Sequence, residues 1–328
     1  MKAVVMNGYG GVDVLGIGEV DDVSPGSGEV LVRIRAAALN RADLLQRRGM
    51  YQPPKGASEV LGLEMAGEIV ELGEGVTGLS VGQRIAALLP GGGYATHAVI
   101  PAGMAMPLPD SVDVIEGAAI PEAFLTAYLN LFLLGGMAHG KTVLIHAGAS
   151  GVGTSAIQLV REAGGVSIVT AGSRDKIERC IKLGAMSGWN YHDGSFAPFV
   201  AENTSNQGVD IILDFIGEPY FEDNLVSLAV DGRLIIIGTM GGVNVNSLNL
   251  GTMLGRRLQI IGTALRSQTV ERKIEITRRF WEFAEEGVRE GRIRPVIDSV
   301  YDWREVADAH RHMEENRNVG KIVLQITD

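Results

Sequence analysis

Cysteine is almost absent: a single residue, Cys180, stands among 328. One thiol excludes an intrachain disulfide and any multi-thiolate metal cluster, and it fits a reducing compartment. Set in Arg179-Cys180-Ile181-Lys182-Leu183 with no base near it in sequence, it reads as helix packing, not as a nucleophile. Long apolar runs are missing too. The opening run stops at Asn7-Gly8-Tyr9-Gly10, too short for a secretory signal, and is expected to be a strand. Residues 123–138 are the longest apolar stretch, but Thr126, Asn130 and Gly135-Gly136 interrupt it, so a buried helix is expected and not a membrane span. Positive charge is in deficit. A net charge of -10 repels phosphate backbones and anionic lipid, so neither nucleic acid nor membrane is an expected partner, and the expected location is the cytoplasm. There is no internal repeat and no low-complexity segment. With 46% hydrophobic and 21% charged residues over this length, the chain can bury more than one core, and two domains are expected.

What is present divides in two. Up to about residue 110, short β-branched runs alternate with Gly and Pro turns, among them residues 29–38, 65–72, 83–88 and 94–100, with a short helix near 40–46. That pattern predicts an antiparallel or barrel-like β domain. From residue 121 the texture changes: 142–147, 166–170, 209–214 and 233–237 are nearly continuous apolar runs, as strands covered on both faces require. Amphipathic stretches at 151–163, 174–183, 195–202 and 220–229 separate them at βαβ spacing. The expectation is an α/β chain whose second part is a doubly wound parallel sheet. A long helix at 270–289, a break at Arg294-Pro295, a helix at 303–315 and a strand at 321–326 follow.

The run Val143-Leu144-Ile145-His146-Ala147-Gly148-Ala149-Ser150-Gly151-Val152-Gly153 carries the most information: a buried strand enters a Gly-rich turn that opens a helix. Such a turn aims backbone N–H groups and the positive end of a helix dipole at a pyrophosphate, and small residues let the backbone come close. Gly148 and Gly153 take the first and third places of the G-x-G-x-x-G pattern. Ser150 stands at the second, where its hydroxyl can donate, and Gly151 is extra. With Ala149 and Val152 they form the expected dinucleotide cradle. The next strand ends in Thr170-Ala171-Gly172-Ser173-Arg174-Asp175-Lys176. NAD enzymes place an acid at that tip; here Gly172 leaves room for a 2′-phosphate to which Ser173, Arg174 and Lys176 can donate, so NADPH is the expected cofactor. Two alternatives stay open: Arg174 and Lys176 as solvated charges at a helix start, and Asp175 as a ribose ligand.

These features, with Leu39-Asn40-Arg41-Ala42-Asp43 and the late Asn318-Val319-Gly320-Lys321-Ile322-Val323-Leu324, resemble the medium-chain dehydrogenase/reductase superfamily. Within it, Pro53-Pro54-Lys55-Gly56-Ala57, Leu89-Pro90-Gly91-Gly92-Gly93, Ala119-Ile120-Pro121-Glu122-Ala123 and Thr170-Ala171-Gly172-Ser173 are similar to the tumour-suppressor-inducible quinone oxidoreductases, relatives of ζ-crystallin. The resemblance spans nearly the whole chain. It implies a GroES-like catalytic domain over residues 1–120, a Rossmann domain over 121–265, and a segment at 266–328 that returns to the first domain. It also implies an active site in the interdomain cleft and a homodimer joined along strands near 259–261. Ser150 and Tyr191 are implied cofactor contacts, as are Thr126, Phe215, Ile216, Gly238 and Met240, with Leu265 and Lys321 as lesser ones.

Zinc-dependent members of that superfamily hold a catalytic ion with a Cys, a His in Gly-His-Glu, and a third ligand near the domain junction. This chain has Asn40 at the first place, Leu63 at the second, and no thiol or imidazole over residues 121–126. No tetrahedral N/S site is expected, and the six histidines are scattered. Zinc is needed where a carbonyl must be polarised; a quinone accepts a hydride to give a delocalised anion without it. The expected activity is therefore NADPH:quinone oxidoreduction. The alternatives are reduction of an enone or enoyl thioester, or NADPH binding without catalysis. Tyr51, Asn40, Asp43 and Glu64 are the candidates to shape the site, Tyr51 by donating its phenol to a quinone oxygen. The competing readings are a surface cap for Tyr51 and structural roles for Asp43 and Glu64.

Overall fold

Burial alternates along Glu29–Ala38: Val30, Val32 and Ile34 are buried, while Arg33 and Arg35 lie partly in solvent. A strand with one wet face must close its other face on a core, and here the neighbours are Glu64–Leu72 on one edge and His97–Pro101 followed by Lys321–Gln325 on the other. The computed structural model describes residues 1–327. In it these strands belong to a seven-stranded, mostly antiparallel sheet that also contains Ile297–Asp302, Arg84–Leu88 and Met106–Pro107. The core holds Ile69, Ile85, Tyr94, Trp303, Ile322 and Leu324, so the late strand packs with the early ones. Residues Met1–Leu125 and the chain from Arg266 onward form this first compact unit, which has the GroES-like architecture.

Thr126–Leu265 form the second unit. Its six strands are all parallel and lie in the order Ser187–Asn190, Val166–Ala171, Thr142–Ile145, Val209–Asp214, Leu228–Ile236, Gln259–Gly262. Counted along the chain this is 3-2-1-4-5-6, the Rossmann order, and its switch point lies between Thr142–Ile145 and Val209–Asp214. Three expectations need correction. Ser187–Asn190 was not expected as a strand, because Ser-Gly-Trp-Asn sits half-buried on the sheet edge and needs no apolar run. The expected helix at 220–229 ends at Ser227, and Leu228 already pairs with Val209 in the next strand. The apolar stretch at 123–138 is no uniform helix: an α-helix over Pro121–Tyr128 passes into a π-helical turn at Leu129–Leu134, and Gly135 N–H bonds back to Asn130 O. Val270–Arg289 is one helix, as its periodicity predicts, with Thr269 accepting from Arg272 N–H at 3.2 Å.

Candidate functional site

Thr142–Ile145 is buried almost throughout, and the turn begins directly beyond it. The left-handed backbone falls on Ala147, φ 48°, and not on a glycine; the conformation costs a Cβ-bearing residue about 1–2 kcal/mol. Gly148 is required by packing, since a Cβ there would stand 2.7 Å from Val169 Cβ. At Gly153 a Cβ would lie 2.4 Å from Ala147 O. Ser150 caps the helix Gly151–Glu162: its Oγ accepts from Gly153 N–H at 3.0 Å, which leaves its own proton to donate.

At the next strand tip, a Cβ on Gly172 would meet the Tyr191 hydroxyl at 2.4 Å. The phenol of Tyr191 therefore fills the place from which an acid side chain would rise. Ser173 caps the following helix, accepting from Lys176 N–H at 3.3 Å. Arg174 is exposed and paired with Glu178 at 3.1 Å. Asp175 is paired with Arg179 at 3.2 Å, which engages the carboxylate considered for a ribose.

The carboxyl ends of Val209–Asp214 and Leu228–Ile236 are tied to each other. Asp214 Oδ1 accepts from Ile216 N–H at 2.7 Å and Gly217 N–H at 3.1 Å, while Met240 N–H donates to Phe215 O at 3.1 Å and Gly238 N–H to Asp214 O at 3.2 Å. Thr126 and Leu265 are buried in the same unit. Sequence reasoning missed the buried His146. It bonds Thr170 Oγ1 through Nδ1 at 2.9 Å and Asn224 Oδ1 through Nε2 at 2.7 Å, and Asn224 Nδ2 donates to Asp214 Oδ2 at 3.1 Å. An amide oxygen can only accept, so Nε2 carries the proton and Nδ1 accepts from the threonine. Burial pushes the imidazole down to about 4 from its ordinary 6.5. The unfolded chain then takes up a proton that the fold refuses between those values, so stability falls as pH falls through this window. Comparing His146→Gln with wild type by hydrogen exchange on the amides of Thr142–Ile145, the advantage of wild type is expected to shrink by about 1.4 kcal/mol per pH unit below 6.5.

In the first unit the structure brings Asn40, Asp43, Glu64 and Lys321 together. Asp43 closes its own helix, Arg41–Arg47, by accepting from Asn40 N–H at 2.8 Å, and it also accepts from Gly62 N–H at 3.1 Å and Tyr94 Oη at 3.1 Å. Burial pushes its carboxyl up to about 6 against these hydrogen bonds. The Asn40 side-chain amide donates to Glu64 Oε1 at 2.9 Å. Lys321 Nζ donates to Leu39 O, Asn40 Oδ1 and Glu64 Oε1, each at 2.6 Å. All three ammonium protons are used, and Lys321 stands as the buried counter-ion of Glu64. Glu64 Oε2 accepts from Glu122 N–H at 2.8 Å. Burial, and then the charge of Glu64, push the Glu122 carboxyl up to about 8.

Tyr51 lies outside this network. The Arg266 guanidinium sits over its ring, 5.1 Å from the centroid, and burial raises the phenol above its ordinary value. Neither Glu122 nor Arg266 was expected. The sequence signal for each is an isolated charge in an apolar setting, Ile120-Pro121-Glu122-Ala123-Phe124 and Thr263-Ala264-Leu265-Arg266.

Residues 26–110 match the alcohol dehydrogenase GroES-like domain, and residues 183–324 match the zinc-binding dehydrogenase family. The synaptic vesicle membrane protein VAT-1 homolog of Rattus norvegicus is 30% identical over 339 residues, covering 99% of this chain and 84% of that protein. The chain belongs to the medium-chain dehydrogenase/reductase superfamily. The quinone oxidoreductase of Rattus norvegicus is 28% identical over 330 residues, covering 99% and 97% of the two chains. Among solved structures of the superfamily, an NAD-dependent alcohol dehydrogenase superposes with a TM-score of 0.87 at 32% identity over all of both chains. A mycobacterial protein complexed with NADPH does so with 0.86 at 27%, over 99% of this chain and 100% of that one. The chain is thus a quinone-oxidoreductase-like member of the medium-chain dehydrogenases/reductases, an oxidoreductase. No helix among the described residues is long and apolar enough to cross a membrane.

The zinc of other superfamily members does not fit the residues here. Asn40 offers an amide and Leu63 a hydrocarbon, and the Lys321 ammonium already neutralises the neighbouring carboxylate of Glu64. Among the described residues no group of three His, Cys, Asp or Glu side chains is arranged to hold a metal ion. Cys180 is buried in its helix, and burial pushes its thiol up to about 12, far from a thiolate ligand or nucleophile.

Proposed function

We propose that this chain reduces quinones with NADPH and without a metal ion. The observation that carries the reading is the ion pair of Lys321 with Glu64, which neutralises the buried carboxylate beside Asn40 and leaves it unavailable as a metal ligand. An ammonium with all its protons engaged cannot polarise a substrate carbonyl, so the acceptor is one that takes up a hydride without a metal ion, as a quinone does. The filled space at Gly172 supports NADPH: the Tyr191 hydroxyl stands ready to donate to a 2′-phosphate, with Ser173, Arg174 and Lys176 beside it. Gly148, Ala149, Ser150, Gly151, Val152 and Gly153 would cradle the pyrophosphate, and Phe215, Ile216, Gly238 and Met240 the nicotinamide half, with Thr126 and Leu265 behind. The bound cofactor supplies the hydride. Tyr51 orients the acceptor, Asn40, Asp43 and Glu64 hold the wall of the pocket, and Glu122, in its acid form at neutral pH, is a proton source. A second copy paired along the edge strand Gln259–Gly262 is the assembly that goes with this reading.

Initial rates with a benzoquinone, an enone and an enoyl thioester, each with NADPH and NADH, test it. The expected order is quinone well above the other two, with NADPH preferred. Turnover of the enone or thioester at the higher rate would replace quinone reduction by conjugate reduction.

A further inference from the structure

Arg266 is 5% exposed, and among the described residues it has no ion-pair partner. Nε donates to Pro90 O at 3.0 Å and Nη2 to Gln46 Oε1 at 2.7 Å, but Nη1 is buried with no hydrogen-bond partner at all. Asp43 and Glu122 act on this guanidinium only through space, without an ion pair, so its buried Nη1 is left with no acceptor of its own, and such a group calls for an explanation. Packing alone does not supply one, since Gln46 and Pro90 would be served as well by a neutral donor. The Tyr51 ring lies against the same guanidinium, and the Tyr51 hydroxyl has no protein partner among the described residues. Tyr51 follows the exposed Met50, and the hydrogen bonds that hold this segment, Met50 N–H to Leu45 O at 2.8 Å and Gln52 Nε2 to Gly49 O at 3.2 Å, do not involve the Tyr51 ring. An aromatic face is a weaker partner for a cation than a charged oxygen, so an incoming oxyanion can take its place.

We propose that Arg266 Nη1 is the oxyanion-binding donor of the acceptor subsite, reached as the Tyr51 ring shifts, and that the ligand is an acceptor whose carbonyl oxygen becomes anionic on reduction. The inference rests on the quinone reading above. In the step, a hydride supplied by the bound cofactor would form an O–H bond at one quinone oxygen, the ring double bonds would shift to the aromatic arrangement, and the opposite carbonyl π bond would open onto its own oxygen, which one proton later neutralises to give the quinol. Arg266 acts on the charge while it exists, which is the part of the reaction that otherwise falls to a metal.

The probe is 4-nitrophenolate, a mimic of the reduced anion with a visible spectrum, titrated into the chain loaded with NADP⁺ and compared with neutral 4-nitroanisole. Wild type is expected to bind the phenolate at least about tenfold more tightly than the anisole, and to lower the ionisation midpoint of the bound phenol by about one unit. Arg266→Gln should lose about tenfold or more in phenolate affinity, with anisole and NADP⁺ affinities within about twofold; Arg266→Lys should recover part of it. Across substituted benzoquinones, the kcat/KM deficit of Arg266→Gln should grow with the basicity of the quinol anion, a trend that a merely structural arginine would not produce. Equal affinity of wild type for phenolate and anisole overturns the proposal even where the variant does not fold, and so does an equal loss of both ligands in the variant. If wild type holds the phenolate through Arg266 yet reduces no quinone, the oxyanion site stands and the quinone reading falls. If quinone turnover survives Arg266→Gln undiminished, the reverse holds.

Discussion

Lys321→Met is expected to cost the first unit about 3–5 kcal/mol, because it strands a buried carboxylate. Glu64 is fully buried, and the ammonium is its only ion-pair partner among the described residues. The same substitution removes the donor to Leu39 O and Asn40 Oδ1. The uncompensated charge on Glu64 outweighs these broken hydrogen bonds, so the double variant Lys321→Met/Glu64→Gln should recover a substantial part of the stability. A chain with two compact units need not unfold in one step, so the measurement of choice is hydrogen exchange on the amides of Glu64–Leu72. Strictly additive effects of the two substitutions would show that the pair is not coupled, and would remove the basis for treating Lys321 as a built-in cation.

The second large effect is expected at Gly172→Asp, where NADPH affinity should fall by two to three orders of magnitude while NADH changes by less than about threefold. The Tyr191 hydroxyl stands 2.4 Å from the new Cβ, so the carboxylate must displace the phenol and take over the strand tip. Two unit charges 4 Å apart repel by about 4 kcal/mol at an effective dielectric of 20, about a thousandfold in affinity, with solvent at this edge reducing it. A carboxylate at the same tip is what holds the ribose hydroxyls of NAD, so NADH is spared. Fluorescence titration of both reduced cofactors measures the ratio directly. A ratio unmoved by the substitution would mean that the 2′-phosphate does not bind here, and the cofactor assignment would be wrong.

The parts of this molecule that were legible in the sequence are those where one physical requirement dominates a run of residues. The continuous apolar runs of the second unit reveal strands covered on both faces, and the Gly148–Gly153 turn reveals a close backbone approach. The 20 residues of Val270–Arg289 show a helical period long enough to be unambiguous. Ser187–Asn190 was hidden because an edge strand needs only one covered side. The grouping of Asn40, Asp43, Glu64 and Lys321 was legible only in part: the first three were singled out together, but the pairing of Lys321 with Glu64 was not, because pairing across 257 positions leaves no local trace. Arg266, Glu122 and His146 escaped for a related reason. Each is a polar residue whose meaning lies in what surrounds it, and a single buried charge has no period to recognise.

The strand Lys321–Gln325 lies next to Glu29–Ala38, although nearly 300 residues separate them. During synthesis on a ribosome, the stretch Thr126–Leu265 emerges uninterrupted and has every strand of its sheet in hand, whereas the earlier β unit must wait. Until the late strand arrives, the Ala36–Ala38 edge stays open and Glu64 has no countercharge, a combination that invites pairing with other nascent chains. The order of emergence thus runs opposite to the order of completion, and chaperone demand should concentrate on the first-made part of the protein.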